Sequence, residues 1–282
     1  MSHLTPRIAA RLALTVLAAA SATTAVPALA QSLVLYDDFA GSVIDATKWI
    51  NDDGRNFGGF TLDGRRSMNS GQLRLESRGY GDNVNDAAIF STARSGLRFD
   101  KSASMTAMKA TITPRIFSAS TCSSNSAQVS QARARLFGFF FNAGTSVPNV
   151  GGNTNDVYAG IQLYRSSNSA DTANSVRVVG FYGICNDDNC TSSTQLGSTG
   201  DILASAIAAN TPVEMSVTWN ASTNSFSFQA GATLKTLTYT VPDTYPASFP
   251  AKRIEAYHSL VHCSAARATS NVVVDIDNVY TN

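Results

Sequence analysis

The stretch 156–165, Asp-Val-Tyr-Ala-Gly-Ile-Gln-Leu-Tyr-Arg, alternates as a β-strand does. Tyr158, Gln162 and Tyr164 fall on one face, and Ala159, Ile161 and Leu163 on the other. Aromatic rings with a few hydrogen-bonding groups suit the faces and hydroxyls of a sugar, so the chemistry open to this face is glycan binding. Tyr158, Tyr164 and Tyr182 are the candidate aromatic contacts, and Gln162, Asn142 and Arg177 the candidate hydrogen-bonding groups. Cleavage of a glycoside asks for more, namely two carboxylates flanking the bond. The chain has three glutamates, Glu76, Glu214 and Glu255, far apart in sequence and on different expected strands. Asp156 and Gln162 cannot form the pair, because an amide neither attacks nor donates a catalytic proton. A distant combination such as Asp156 with Glu255 is left, and no catalytic residue follows from the spacing.

These side chains need a sheet to stand on. The run 134–142 is also strand-like, with Leu136 and Phe140 expected on one face and Phe137, Phe139 and Phe141 on the other. Further strands are expected at 33–39, 70–76, 88–91, 104–112, 176–183, 235–241 and 252–261. Residues 213–219 and 225–230, joined by Asn-Ala-Ser-Thr-Asn, read as a hairpin. Residues 202–209 are the expected short helix or helical turn. The rhythm predicts an all-β chain folded as a two-sheet antiparallel sandwich.

Arg7 and Arg11 precede a short apolar run, and Ala28-Leu29-Ala30 matches an A-x-A cleavage site. Residues 1–30 therefore read as a signal peptide, and residues 31–282 as one secreted or periplasmic β-sandwich domain. The apolar run is shorter than the about 20 residues of a spanning helix, so no membrane span is expected. The full chain carries 21 Lys+Arg against 20 Asp+Glu, and without Arg7 and Arg11 the balance is 19 against 20. With no Lys/Arg cluster, an electrostatic nucleic-acid footprint is excluded. Cys122, Cys185, Cys190 and Cys263 are an even set in the exported part, which suits two disulfides. Cys185 and Cys190 bracket Asn-Asp-Asp-Asn, a turn composition, so Cys185–Cys190 and Cys122–Cys263 are the expected pairs. His258 and His262, near Cys263, are expected at a loop or barrel end rather than on a metal.

The segment 36–49, Tyr-Asp-Asp-Phe-Ala-Gly-Ser-Val-Ile-Asp-Ala-Thr-Lys-Trp, carries Phe39 and Trp49 as core plugs. It resembles the opening of concanavalin A-like lectin/glucanase domains, which include laminarinase- and agarase-type glycoside hydrolases and laminin-G-like modules. Ser-Gly-Gln-Leu-Arg-Leu-Glu at 70–76 is similar to the Gly-led strand of that superfamily. Val-Val-Val-Asp-Ile-Asp-Asn-Val-Tyr at 272–280 is similar to its closing strand. The resemblance implies jelly-roll connections between the two sheets. It also implies a structural Ca²⁺ held by an acid or carbonyl from each segment, here Asp38, Gly71 and Asp277.

The glucanase pattern Glu-x-Asp-x-x-Glu is not found, nor are the Arg-x-Glu-Leu-Arg and Gln-Ile-His strands of lyases on this scaffold. Arg133, Arg135, Gln162, Tyr164, Tyr257 and His258 are nevertheless of the types such lyases use. The expected function is a secreted, lectin-like glycan-binding protein whose partner is a polysaccharide or glycan. A polysaccharide-degrading enzyme, either a lyase or an atypical glycoside hydrolase, is the alternative. A structural envelope or matrix protein is the third reading.

Overall fold

Nearly every run of alternating apolar and polar residues enters a strand, because alternation gives one wet and one dry face. The computed structural model describes residues 32–56, 61–82, 90–122, 128–144, 152–264 and 266–282. The signal-peptide reading and parts of the Ser- and Gly-rich loops lie outside the described residues. In chain order the first strands are β1 (Val34–Asp37), β2 (Trp49–Asn51), β3 (Gly54–Asn56), β4 (Thr61–Asn69), β5 (Gln72–Tyr80) and β6 (Phe90–Phe99). Then come β7 (Ala107–Ala119), β8 (Gln131–Asn142), β9 (Asp156–Ser166), β10 (Arg177–Cys185), β11 (Ser193–Asp201) and β12 (Val213–Asn220). The last are β13 (Ser225–Ala230), β14 (Thr233–Thr238), β15 (Tyr245–Pro246), β16 (Lys252–Val261) and β17 (Thr269–Thr281). The helical segment among the described residues is one 3-10 turn, Ala221–Thr223, in the expected hairpin loop.

Two antiparallel sheets result. The eight-stranded one runs β14-β13-β12-β7-β17-β5-β4, with β1 on β17. The nine-stranded one runs β11-β10-β9-β8-β16-β6-β2, with β15 on β8 and β3 on β6. The last strand sits mid-sheet between β7 and β5, and β1 pairs with it, so the first and last strands are tied into the same sheet. This is an all-β jelly-roll sandwich of two antiparallel sheets.

The core lies between the sheets. Leu73 and Leu75, Met215 and Val217, and Val272, Val274 and Ile276 face Ile161, Leu163, Ile254 and Leu136 across it. Each such side chain contributes about 1.5–3 kcal/mol on leaving water. Phe39 and Trp49 plug the opening as expected, their rings stacked at 5.7 Å, and Trp49 Nε1 donates to Asp37 at 2.6 Å. Both expected disulfides, Cys122–Cys263 and Cys185–Cys190, are formed.

Three expectations need correction. A bulge in β8 between Phe139 and Phe141 sends both Phe140 and Phe141 inward, against Phe226 and Trp219, so Phe141 does not share the face of Phe137 and Phe139. Residues 202–209 form no helix. Ile202 and Ile207 are buried as lone anchors, and Ile207 exchanges backbone hydrogen bonds with Val176. His258 is not at a barrel end but 0% exposed on β16, held between Ser77 of β5 and Ser270 of β17.

Burial pulls the His258 imidazole down to about 3 from its ordinary 6.5, so it folds neutral. The stability tied to it is complete above about pH 6.5 and is lost as the pH falls towards 3, because only the unfolded chain takes up the proton. Urea titrations from pH 7 to pH 5 are expected to lose up to about 1.4 kcal/mol per pH unit, above the range where carboxylates titrate. His258→Gln should flatten that slope, and an unchanged slope would contradict the assignment.

Candidate functional site

The outer face of the nine-stranded sheet is set by the register of its central strands. On β8, Arg135 stands between Gln162 of β9 and Glu255 of β16, and Arg133 between Tyr164 and Tyr257. Phe137 stands between Gly160 and Arg253. Strand β10 continues these rows with Val179, Arg177 and Phe181, and β6 with Gly96 and Arg94 opposite Glu255 and Tyr257. Edge strand β11 supplies Ser193, Gln195 and Ser198 as a wall, with Cys190 at one end. Of these, Arg133, Arg135 and Phe137 of β8, Gln162 and Tyr164 of β9, Val179 and Phe181 of β10, Tyr257 of β16 and the β11 wall line a groove of about 440 Å³.

Gly160 is glycine because a Cβ there would sit 2.9 Å from the Leu136 carbonyl oxygen, 3.0 Å from the Phe181 ring and 3.3 Å from that of Phe137. Without it the two rings stack across β9 with centroids 6.3 Å apart. Tyr158 packs on Phe137 and Phe139 and donates to Ser193 at 3.2 Å. Burial, the first cause, raises the Tyr158 phenol, so it serves as a neutral hydrogen-bonding ring.

Charge in and beneath the groove is unevenly matched. Glu255, 0% exposed, accepts from Arg135 Nε, and its second oxygen lies 3.7 Å from Arg94 Nε. Asp52 takes Arg94 at 3.2 Å and Arg253 at 2.8 Å. Three guanidiniums therefore share two carboxylates. Arg135 is also held between rings, 3.7 Å from the Tyr257 centroid and 4.5 Å from that of Phe137. Arg133 meets no carboxylate among the described residues. It bonds the Gln131 side chain at 2.9 Å and lies 5.4 Å from the Tyr257 centroid. Desolvation, the leading cause, pulls Arg133 down to about 10. Gln162 Oε1 is buried and accepts no hydrogen bond.

The sequence-derived candidates divide. Tyr158, Gln162 and Tyr164 line the groove. Arg177 borders it, since Asp201 accepts from both Tyr164 and Arg177 at 3.0 Å, and Arg177 also forks onto Asp171. Tyr182 turns into the core against Phe226 and donates to the Thr238 carbonyl. Asn142 is 2% exposed and is spent on Asp156 and the Thr154 carbonyl. Neither belongs to the groove. Asp156 is buried too, accepting from Ser248 and Phe249 backbone N–H groups. It pairs with Asn142 while Glu255 pairs with Arg135, seven positions along β8, or roughly 20 Å at about 3.3 Å per residue. Those two acids cannot flank one bond. Phe137, Phe181 and the groove-facing Tyr257 complete the aromatic lining.

The residues named for calcium lie on the other sheet and its turns. Asp38 accepts from Ala40 N at 3.2 Å, and Asp277 from Asn278 N at 2.7 Å and Gln72 Nε2 at 3.4 Å. Gly71 occupies the β4–β5 turn at φ +77°. Their oxygens are of the kind a hard dication takes, but among the described residues no three acidic, His or Cys side chains gather to hold a metal.

A larger cavity, about 650 Å³, opens on the outer face of the eight-stranded sheet beside Asp63, Arg65, Arg74, Glu76, Arg78 and Arg115. No aromatic ring lines it, and Arg74 and Arg115 both clamp Asp275. Its size does not make it the better sugar site, because stacking surface is absent from its lining.

No family model and no curated protein matches the chain. Among solved structures it is similar to a Bacillus licheniformis beta-glucanase, with 14% identity over 87% of this chain and 96% of that one, at a TM-score of 0.42. It is similar to alginate lyase Aly36B, with 13% identity over 79% and 86% of the two chains, at 0.36. The Ca²⁺- and Man3GlcNAc-bound exoplasmic/lumenal domain of VIP36 follows, with 9% identity over 78% and 83%, at 0.29. These likenesses concern the fold, and the site stands on its own side chains.

Proposed function

We propose that the protein is a secreted glycan-binding β-sandwich whose groove on the nine-stranded sheet holds a polysaccharide segment. The observation that supports this reading is the lining itself: Phe137, Tyr158, Phe181 and Tyr257 with the side-chain amides of Gln131, Gln162 and Gln195. Glycoside hydrolysis finds no partner for Glu255, which is buried beneath guanidiniums, and no acid lines the groove. A glycan panel tests the reading. Binding that weakens about 10-fold or more in Phe181→Ala and Gln162→Ala, with unchanged melting, supports it. No binding across the panel would remove it in favour of a structural role.

A lyase is the second reading, favoured by one observation: Arg133, Arg135, Gln162, Tyr158 and Tyr257 share the groove. Incubation with the same polysaccharides, followed by absorbance of unsaturated products, decides between binder and lyase.

The proposal includes a structural calcium ion at Asp38, Gly71 and Asp277. Melting midpoints in Ca²⁺ should then exceed those in EDTA, by an amount equivalent to about 2.7 kcal/mol at a hundredfold excess over Kd. Identical melts in both would end the idea.

A further inference from the structure

Resting on the glycan-binding reading, we infer that the groove selects an acidic polysaccharide and that Arg133 holds its ring-borne carboxylate or sulfate. Two observations point to this ligand from opposite sides.

The first is charge. Arg133 is half-buried on the floor of a groove whose lining includes no Asp or Glu, and its hydrogen bonds go to a neutral amide. Beside it Arg135 is one of three guanidiniums sharing the carboxylates of Asp52 and Glu255. A cation taken out of water without a counter-ion is costly, and a ligand oxyanion would supply one. The guanidinium fork offers parallel N–H groups to carboxylate or sulfate oxygens, a geometry a neutral hydroxyl does not match.

The second is the orphaned acceptor. Gln162, 8% exposed on the same floor, stands opposite Arg135, two residues along from the Arg133–Tyr164 pair, and its Oε1 has no donor. Sulfate or chloride has no proton to give it. A sugar hydroxyl does, and the rings of Tyr158, Phe181 and Tyr257 line the same groove. An anion alone leaves Gln162 unsatisfied, and a neutral glycan leaves Arg133 unsatisfied. An acidic sugar satisfies both.

The outer-face cavity of the other sheet does not compete. Its lining includes Asp63 and Glu76, and two of its arginines are already engaged by Asp275.

The test titrates the protein calorimetrically with oligomers of polygalacturonate, alginate and a sulfated galactan. Each is matched with its neutral counterpart, carboxyl-reduced or desulfated. At least one acidic oligomer is expected to bind about 10-fold or more tightly than its neutral match, with affinity falling as salt rises. The arm that binds distinguishes carboxylate from sulfate. Arg133→Gln should abolish the preference, bringing the acidic oligomer's affinity down to that of its neutral match, and Arg133→Lys should restore it in part. Equal affinity for acidic and neutral partners overturns the inference and leaves the glycan-binding reading standing. Binding only of neutral glycans on the panel does the same. Failure of every acidic oligomer also overturns it, and the glycan-binding reading falls with it only if the whole panel is blank. The wild-type comparison needs no variant, so a misfolded Arg133→Gln protein does not shield the inference.

Discussion

Cys122→Ser will lower the free energy of unfolding by about 5 kcal/mol. The Cys122–Cys263 bridge joins residues 141 apart in sequence, and the entropy the unfolded chain gains when that loop is open grows with the logarithm of its length. The bridge also sits in its own small apolar cluster with Ala93, Leu260, Val261 and Ala268, away from the main core. Cys185→Ser opens a loop of only 5 residues, worth about 2 kcal/mol on the same reasoning. Urea midpoints of the two variants check the ordering. A Cys185→Ser loss as large as that of Cys122→Ser would show that the long loop is already constrained in the unfolded chain.

Glu255→Gln is expected to cost about 3–5 kcal/mol, because it leaves Arg135 and Arg94 facing a neutral amide in a buried site. The loss reports the uncompensated guanidiniums rather than the net value of the pair. The double variant Arg135→Met with Glu255→Leu should therefore be more stable than Glu255→Gln alone, since it removes both charges and keeps apolar volume. If the double variant proved the less stable, Glu255 would be stabilising the sheet by something other than charge balance. Denaturant titrations of the three proteins at pH 7 are sufficient.

Much of this arrangement was legible in the alternation of single strands. Residues 156–165 set Tyr158, Gln162 and Tyr164 apart from Ala159, Ile161 and Leu163, and the sheet keeps that division. Parity also separates Arg177 from Tyr182. The two are five residues apart, so on an unbroken strand they cannot face the same way. Arg177 at the groove edge therefore marks Phe181 as the groove ring and Tyr182 as the core ring. The Phe-Phe-Phe run of β8 concealed its bulge, because three identical side chains carry no alternation to interrupt. Cross-strand register was out of reach altogether. That Glu255 and Gln162 flank Arg135, and Tyr257 and Tyr164 flank Arg133, depends on pairing residues 120 or more positions apart in one case and about 30 in the other. The resemblance of the opening and closing segments gave the sandwich, whereas the groove's chemistry comes from side chains that no local motif joins.

Amide chemical-shift mapping with an oligosaccharide selected from the glycan panel tests the central claim most directly. The expected result is a set of perturbed amides on β8, β9, β10 and β16 around Arg133, Gln162, Phe181 and Tyr257, with the eight-stranded sheet silent. Perturbations centred instead on Arg65, Arg78 and Asn271, at the larger cavity of that other sheet, would contradict it.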